Sequence, residues 1–338
     1  MRALRLKGAL AAVVLCAGHA TAGATDLSVP GYPHEHKTLA TSDPEGFGRE
    51  GKPREIEAEL LLPNGAGPFA AVIVFPGSDG LSAAKEGAYA THLLQYGIAV
   101  LVIDPLRARG LDDLLRDPAA LSDAAMVEDV RAGLDLLAHD PRIDAARIGG
   151  LGTSRGASVL MASAARLKPQ SFRALALVYP YCAHDWRLGT GLKAPQVLML
   201  LAGKEDEVSN EACMDLAKLY VADDIALTLE VLPGAFHGFD SGMPGVEALL
   251  VSAKACPLVP VQPDGTFLTL VISGAPTTAA TTVDLVAAMR RCLIHGIAHW
   301  GETPGSRGYA LARVTAFLSQ ALHTGSSAGP HLQTGWSQ

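Results

Sequence analysis

The chain has 338 residues, of which 49% are hydrophobic and 18% charged, and its formal net charge is -7 at pH 7. This apolar content is enough for a substantial core and argues against intrinsic disorder. The acidic balance does not favour a nucleic-acid partner, since such proteins usually carry a basic patch. The length allows one large domain or two small ones.

The first 22 residues have the features of a secretory signal peptide. Three basic residues precede an apolar run over 8–18, and residues 20–22 fit a small-x-small cleavage site, with 22–24 as a second option. The run is too short to span a bilayer. We therefore expect an exported protein, periplasmic or secreted, without a membrane span. Cys16 would fit a lipoprotein anchor, but the leucine before it is bulkier than such cleavage usually accepts.

Four cysteines follow that segment: Cys182, Cys213, Cys256 and Cys292. An even number in an exported chain favours two disulfides. Of the three possible connectivities we favour Cys182–Cys213 and Cys256–Cys292, because each joins residues of one local region. Buried free thiols are the alternative. No Cys-x-x-Cys pair or close Cys/His cluster indicates a metal, and we expect neither a metal nor a cofactor.

The next elements predict an α/β fold. Residues 23–52 are polar and rich in Gly and Pro, which indicates an N-terminal arm, and residues 55–63 begin with the alternation of an edge strand. Buried apolar runs then alternate with helical patterns. Strands are predicted at 70–75, 98–103, 147–151, 174–178, 196–201 and 227–232, and helices at 83–95, 123–138 and 309–322. This alternation predicts a doubly wound, mostly parallel sheet.

The stretch 243–307 departs from this rhythm. It contains a strand-like run at 267–272 and a helical pattern at 282–294. We interpret it as an insertion before the last helix, held by the Cys256–Cys292 bridge and lying beside or over the active site. The main domain is expected to cover 53–325, followed by a flexible tail at 326–338.

The strand at 147–151 runs into a helix through Gly-x-Ser-x-Gly at 152–156. In a nucleophile elbow the serine occupies the apex of a tight strand-to-helix turn. Its strained backbone requires neighbours with almost no side chain, which Gly152 and Gly156 satisfy. The motif alone is common in a glycine-rich chain, but this strand–turn–helix context favours Ser154 as a nucleophile.

A serine hydroxyl needs a base to take its proton and an acid to orient that base. With an elbow of this kind the chain order is serine, acid, histidine, each after a strand. The strand at 196–201 ends in a Gly-x-x-Asp turn, which makes Asp206 the acid by position. Glu205 is the alternative, because a one-residue shift in the turn would exchange the two. The strand at 227–232 is followed by Pro-Gly-Ala-Phe-His, which makes His237 the base.

The oxyanion of a tetrahedral intermediate needs preorganised N–H donors. One should be the backbone amide of Arg155, directly after the nucleophile at a helix start. The other should come from the Pro-Gly-Ser-Asp-Gly loop after the first buried strand, where we expect the amide of Ser78. An ordinary glycine turn is the alternative interpretation of that loop.

These motifs together resemble the dienelactone hydrolase family of α/β-hydrolases. The likeness rests on the elbow and on residues 73–77, 96–105, 203–206 and 236–239. The resemblance implies the α/β-hydrolase fold and an esterase or lactonase that uses Ser154, Asp206 and His237. The founding enzymes carry cysteine at the elbow, so the serine here indicates the broader serine-using branch.

The founding enzymes also bind a substrate carboxylate with two arginines. Arg109 falls where the first would be, although a surface ion pair is an equal interpretation. No arginine closely follows His237, where Asp240 stands, and this argues against a dienelactone substrate. Tyr181 and Trp186 follow a strand and would line an acyl or alcohol pocket or pack in the core.

We therefore expect an exported, cofactor-free serine hydrolase that cleaves small carboxylic esters or lactones through an acyl-enzyme. A peptidase or amidase on the same fold is the second hypothesis. A non-catalytic binding protein that kept the fold is the third. The sequence indicates neither the natural substrate nor an oligomeric state.

Overall fold

Eight strands form the central sheet of the chain. A computed structural model describes residues 27–167, 172–182, 184–190, 194–256, 258–262, 267–269, 277–279 and 292–323. The strands of the central sheet are β1 (His34–Asp43), β2 (Lys52–Leu61), β3 (Phe69–Phe75), β4 (Ile98–Asp104), β5 (Ile143–Thr153), β6 (Ala174–Val178), β7 (Gln196–Ala202) and β8 (Leu227–Leu232).

The strand order is β1-β2-β4-β3-β5-β6-β7-β8. β2 is antiparallel to both β1 and β4, and every other neighbouring pair is parallel. The carboxyl ends of β3 to β8 therefore meet at one edge of the sheet, where ligands bind in folds of this class.

Helices cover both faces of this sheet, as a doubly wound fold requires. They are α1 (Ala88–Gln95), preceded by a π-helical turn over Ala83–Gly87, then α2 (Asp123–His139), α3 (Arg155–Arg166), α4 (Asn210–Ala222) and α5 (Ser306–His323). Buried residues of α1 and α5 join the core on one face, and those of α2, α3 and α4 join the core on the other.

Strand β3 shows why the apolar runs predict this arrangement. Residues 70–75 are at most 1% exposed, with Val72 and Val74 in one core and Ile73 and Phe75 in the other. Such a strand has no solvated face and therefore reads as a continuous apolar run. The predicted fold, a mostly parallel α/β-hydrolase sheet, is confirmed.

The predicted N-terminal arm contains a strand of the main sheet. β1 pairs with β2 along ten residues, so β1, and not β2, forms the edge. Its sequence is polar because most of its residues are at least partly exposed; Leu39 and Thr41 are the two buried residues. Sequence patterning alone does not distinguish such a strand from an extended arm.

The predicted insertion forms small sheets of its own. β9 (Val246–Ser252) pairs antiparallel with β12 (Ile294–Trp300), and β10 (Phe267–Thr269) pairs with β11 (Thr277–Ala279). The strand-like run predicted at 267–272 thus starts as expected. The predicted helix at 282–294 lies mostly outside the described residues, but Ile294 begins β12 instead of ending a helix.

Disulfides join Cys182 to Cys213 and Cys256 to Cys292, as the sequence favours. The first ties the segment after β6 to α4. The second links the residues after β9 to those just before β12 and so closes the base of this two-stranded sheet.

No helix in the described part of the chain combines the length and apolar character that crossing a bilayer requires. The predicted signal peptide at 1–22 and tail at 326–338 lie outside the described residues.

Candidate active site

Ser154 lies at the apex of the turn between β5 and α3. Its backbone has φ 49° and ψ -122°, a conformation that side-chain-bearing residues rarely adopt. Such strain concentrates at functional positions, where the surrounding structure maintains it. The turn points the serine outward at the carboxyl edge of the sheet.

The two flanking glycines are required by close backbone approach. A Cβ on Gly156 would lie 2.3 Å from the carbonyl oxygen of Pro76, and a Cβ on Gly152 would lie 2.6 Å from the amide nitrogen of Ala157. Both contacts are with main chain, which cannot move aside easily. The motif is therefore a steric requirement of this turn, as its sequence predicts.

A continuous hydrogen-bonded line joins three side chains. The Oγ of Ser154 lies 2.9 Å from Nε2 of His237, and Nδ1 of the same ring lies 2.9 Å from Oε2 of Glu205. His237 and Glu205 are 3% and 4% exposed. The arrangement is that of a nucleophile, a base and an orienting acid.

Glu205, and not Asp206, is the carboxylate that reaches the histidine. The prediction that Asp206 is the acid is therefore wrong. Glu205, the alternative, is the residue that bonds His237. The other oxygen of Glu205 accepts hydrogen bonds from the amides of Glu207 and Val208, at 2.8 and 3.2 Å. Both carboxylate oxygens are thus held, which fixes the acid against the imidazole.

The turn after β7 explains this one-residue difference. The amide of Gly203 donates to Leu232 at 2.8 Å, and the amide of Lys204 donates to Ala235 at 2.9 Å. A Cβ on Gly203 would lie 2.6 Å from the same Leu232 oxygen. These contacts hold the end of β7 against the loop after β8 that carries His237 (the histidine loop). The first residue beyond them, Glu205, therefore faces His237.

Asp206 instead joins the loop after β7 (the acid loop) to β12 and to the segment after β9. Its carboxylate lies 2.9 Å from Nδ1 of His299 and accepts from the His299 amide at 3.2 Å, and Lys254 lies 3.3 Å away. The ring of His299 in turn stacks on Phe236 at 4.8 Å. Burial tends to raise the pKa of Asp206, but the hydrogen bonds from His299 and the charge of Lys254 lower it overall.

The insertion also holds the main chain of the base. The carbonyl of His237 accepts a hydrogen bond from the amide of Gly301 at 2.8 Å, within a bridge between His237 and Trp300. Gly238 has φ 71°, and a Cβ there would lie 2.7 Å from the Trp300 ring. The histidine loop is therefore packed against β12.

The charge around His237 favours its protonated form. Burial alone would lower the pKa of the imidazole, but the negative charges of Glu205 and Glu207 and the hydrogen bond to Glu205 raise it to about 9. Protonation on Nε2 is the state that a base reaches after taking the serine proton. These carboxylates would stabilise that state.

A cleft of about 210 Å³ opens over Ser154. Ser78, Asp79, Arg155 and Tyr181 are among its lining residues, and the insertion contributes Ala253, Leu293 and Trp300. Arg155 is the first residue of α3, where backbone N–H groups have no partner within the helix. The structure thus brings both predicted oxyanion residues, Ser78 and Arg155, to the cleft beside Ser154.

Two of the three predicted substrate-binding side chains lie elsewhere. Arg109 is 5% exposed and bonds both oxygens of Asp129, at 2.8 and 2.9 Å, and Asp43 at 2.7 Å. The alternative interpretation, an ion pair, is therefore correct, but the pair is buried and not on the surface. Trp186 is 3% exposed in the core and packs edge-on against Phe47. Tyr181 does line the cleft.

A group of buried polar side chains packs against the residues of the site. Tyr179 lines the cleft, its ring lies 4.6 Å from that of His237, and its hydroxyl donates to Asp240. Tyr89 donates to the same carboxylate at 2.7 Å. Lys85, 2% exposed, pairs with Asp79 at 2.6 Å. The charge of Lys85 also acts on Asp240, so the loop after β3 and the loop that carries His237 are coupled electrostatically through buried side chains.

Sequence reasoning missed Glu207, which lines the cleft. Its Oε2 lies 3.9 Å from Nε2 of His237, and its Oε1 is buried without a hydrogen-bond partner among the described residues. Burial and the nearby carboxylates of Glu205 and Asp79 raise the pKa of Glu207, against the lowering effect of His237. The sequence feature that could have indicated Glu207 is its position two residues after Glu205, in the same loop.

Comparison with known proteins gives one family. The model of the dienelactone hydrolase family matches residues 56–253. A comparison with curated protein sequences found no match. The matched segment contains Ser154, Glu205 and His237, and it ends within the insertion.

Comparison with solved structures found several similar chains. A dienelactone hydrolase-like promiscuous phosphotriesterase from metagenomic libraries is 15% identical, with 85% of this chain and 98% of that chain covered and a TM-score of 0.51. A putative dienelactone hydrolase from Klebsiella pneumoniae is 19% identical over 61% of this chain and 89% of its own, with a TM-score of 0.46. A carboxylesterase from Lactobacillus plantarum is 17% identical over 61% and 85%, also with a TM-score of 0.46.

The family match covers more than half of the chain, in the region that carries the elbow, the acid loop and the histidine loop. The fold described above and the first of these structures agree with it. This chain belongs to the dienelactone hydrolase family.

Proposed function

We propose that the protein is a serine hydrolase of carboxylic esters or lactones, with Ser154 as nucleophile, His237 as base and Glu205 as orienting acid. The observation that carries the proposal is the hydrogen-bonded line from Ser154 through His237 to Glu205, with 2.9 Å at each step. The strained backbone of Ser154 and its place over a cleft support the same role.

The reaction would proceed through an acyl-enzyme. Nε2 of His237 takes the proton of Ser154 as Oγ attacks the ester carbonyl, and the amides of Ser78 and Arg155 stabilise the oxyanion. The imidazolium then protonates the leaving alcohol as the tetrahedral intermediate collapses. A water molecule, deprotonated by His237, releases the acid and regenerates the serine.

The test is hydrolysis of p-nitrophenyl esters from acetate to octanoate by the mature protein and by Ser154→Ala. Loss of essentially all turnover in a folded variant is expected, because the nucleophile is gone. Retention of most activity by Ser154→Ala would reject the proposal. The preferred chain length would report the size of the acyl pocket.

The other two hypotheses are separated by covalent labelling. A fluorophosphonate reacts with an activated serine, so the esterase and the peptidase or amidase should be labelled at Ser154 and a binding protein should not. Comparison of a matched ester and amide then separates the two enzymes. No described feature specifically favours amide cleavage.

We further propose export to an oxidising compartment. The two disulfides support it, because such bonds persist in secreted and periplasmic proteins. Within the domain, we propose that the insertion at 243–307 forms one wall of the cleft, since Ala253, Leu293 and Trp300 line it.

A further inference from the structure

Two histidines and a glutamate meet on the outward face of the edge strands, away from the cleft. His34 and His36 are two residues apart on β1, so they point to the same side. Glu59 on β2 pairs directly with His36 in the antiparallel register. One donor atom from each of the three side chains lies within 4.8 Å of the others.

The glutamate already draws the two rings together. Its Oε1 lies 2.5 Å from Nδ1 of His36, and its Oε2 contacts Nε2 of His34. The side chains of His34 and Glu59 are 21% and 13% exposed, so packing limits their positions, whereas His36 is 76% exposed and can turn. Three donors therefore converge on one point without a large change of backbone.

Two imidazole nitrogens and a carboxylate oxygen are a donor set typical of zinc. Zinc–ligand distances of about 2.0–2.2 Å place neighbouring tetrahedral ligands about 3.3 Å apart. Reaching that spacing from the present contacts needs shifts on the order of 1 Å. Rotation of the exposed His36 ring would widen its contact with Glu59, and a small rotation of the Glu59 carboxylate would widen the contact with His34. Calcium and magnesium prefer oxygen ligands and fit this set poorly.

Glu59 supplies the negative charge of the site. Glu57 lies on the same outward face of β2, since both alternate with the buried Ile56 and Ala58, but Glu57 pairs with Arg107 at 3.6 Å. The attraction for a dication therefore comes from the carboxylate that is also a ligand.

We propose that His34, His36 and Glu59 form a site for Zn²⁺ or a similar late first-row divalent ion, with water completing the coordination. The site joins β1 to β2, and β1 lies four strands from β5 in the sheet, about 19 Å at ordinary strand spacing. Its role is therefore to fasten the edge strand, not to take part in the reaction at Ser154.

The test is a calorimetric titration of the untagged mature protein with Zn²⁺, with Mg²⁺ in parallel. One equivalent of Zn²⁺ should bind and raise the Tm, because the assembled site exists only in the folded state. Cobalt(II) should give the visible absorption of a tetrahedral N/O site. Mg²⁺ should do neither.

His34→Ala, His36→Ala and Glu59→Gln should each weaken Zn²⁺ binding by more than about tenfold, since each removes one of three ligands. His139→Ala is the matched control, because that histidine is exposed and its ring bonds the carbonyl of Asp135. It should bind like the parent protein. His36 is exposed, so its alanine variant should fold, and circular dichroism without metal checks this.

The absence of a stoichiometric heat of Zn²⁺ binding in the parent protein would overturn the proposal. Unchanged binding in folded His36→Ala, or equal loss in His139→Ala, would overturn it too. Ester hydrolysis without metal is independent of all these outcomes.

Discussion

Three consecutive carboxylates after β7 have three different surroundings. Glu205 bonds His237, Asp206 bonds His299 on the insertion, and Glu207 faces the cleft. Their chemical similarity and adjacency explain why counting along the chain favoured Asp206. Which side chain of an irregular loop faces the base depends on the main-chain contacts of that loop, and these join residues about 30 positions apart.

The pair Glu205→Gln and Asp206→Asn separates these roles. Glu205→Gln should lower kcat on the order of 10⁴-fold, as the corresponding amide substitution does in the archetypal triad, because the amide leaves the imidazole misoriented. Asp206→Asn keeps a hydrogen-bonding group against His299 and should retain most activity. The measurement is kcat for a p-nitrophenyl ester at fixed pH. A larger loss in Asp206→Asn would restore the original assignment.

The raised pKa of His237 predicts a pH profile. Only the neutral imidazole can accept the serine proton, so kcat/KM should rise with pH, with a midpoint of about 9 set by the free enzyme. Glu207→Gln removes one of the negative charges that raise this pKa, and the midpoint should move to lower pH. Steady-state kinetics across the pH range measure both.

Glu211→Gln is the control for that shift. It removes the same charge from an exposed position on α4 and should leave the midpoint in place. An identical profile for the parent protein and Glu207→Gln would contradict the electrostatic account.

At the scale of elements, buried strands were the most predictable part of the chain. β6 and β8 begin and end at the predicted residues. β6 forms an uninterrupted apolar run because it is buried on both faces, whereas β8, at the edge of the sheet, alternates apolar residues with the half-buried Thr228 and Glu230. β1 was missed because its polar face hides the pattern. Arg109 and Trp186 each kept two interpretations, because the partners that decide between them, Asp129 and Phe47, are distant in sequence. The His-x-His pair of β1 likewise indicated a metal site only once the structure placed Glu59 opposite it.

The elbow predicts a steric effect on stability. Gly156→Ala would place a Cβ 2.3 Å from the Pro76 oxygen and should destabilise the fold by about 1–3 kcal/mol or more. Gly308→Ala is the matched control in α5, because its Cβ would meet nothing within 4 Å. Alanine is the better helix former there and should be neutral or stabilising by up to about 1 kcal/mol.

Denaturant unfolding midpoints decide this comparison. Equal midpoints for the two variants would show that the turn tolerates a side chain. That result would contradict the tight-elbow description.

At the scale of the whole molecule, negative charge extends into the cleft. Its lining includes Asp79, Asp123 and Glu207. The cations beside them are already bound: Lys85 pairs with Asp79, and the guanidinium of Arg155 is bound by Asp123 and by two carbonyl oxygens. The net charge of -7 has the same sign. With Arg109 buried elsewhere, the described cleft is poorly suited to a substrate that carries a carboxylate.

Mono-p-nitrophenyl succinate and p-nitrophenyl butyrate form a matched pair for this point. The anionic ester should have a kcat/KM lower by on the order of tenfold, since one charge contact near a protein surface is worth about 1–4 kcal/mol. Added salt should narrow the gap, and so should Glu207→Gln. Faster hydrolysis of the succinate would contradict this account of the charge in the cleft.

The hydrogen bond from Gly301 to the carbonyl of His237 has a consequence for the history of the chain. A relative that lost the insertion would also lose the main-chain support of its base, the ring packed on Gly238, and the partner of Asp206. Loss in one step would therefore disable the histidine loop. Residues 243–307 and the loop that carries His237 should therefore be inherited together. A relative without the 243–307 segment should have other residues that support the main chain after its histidine.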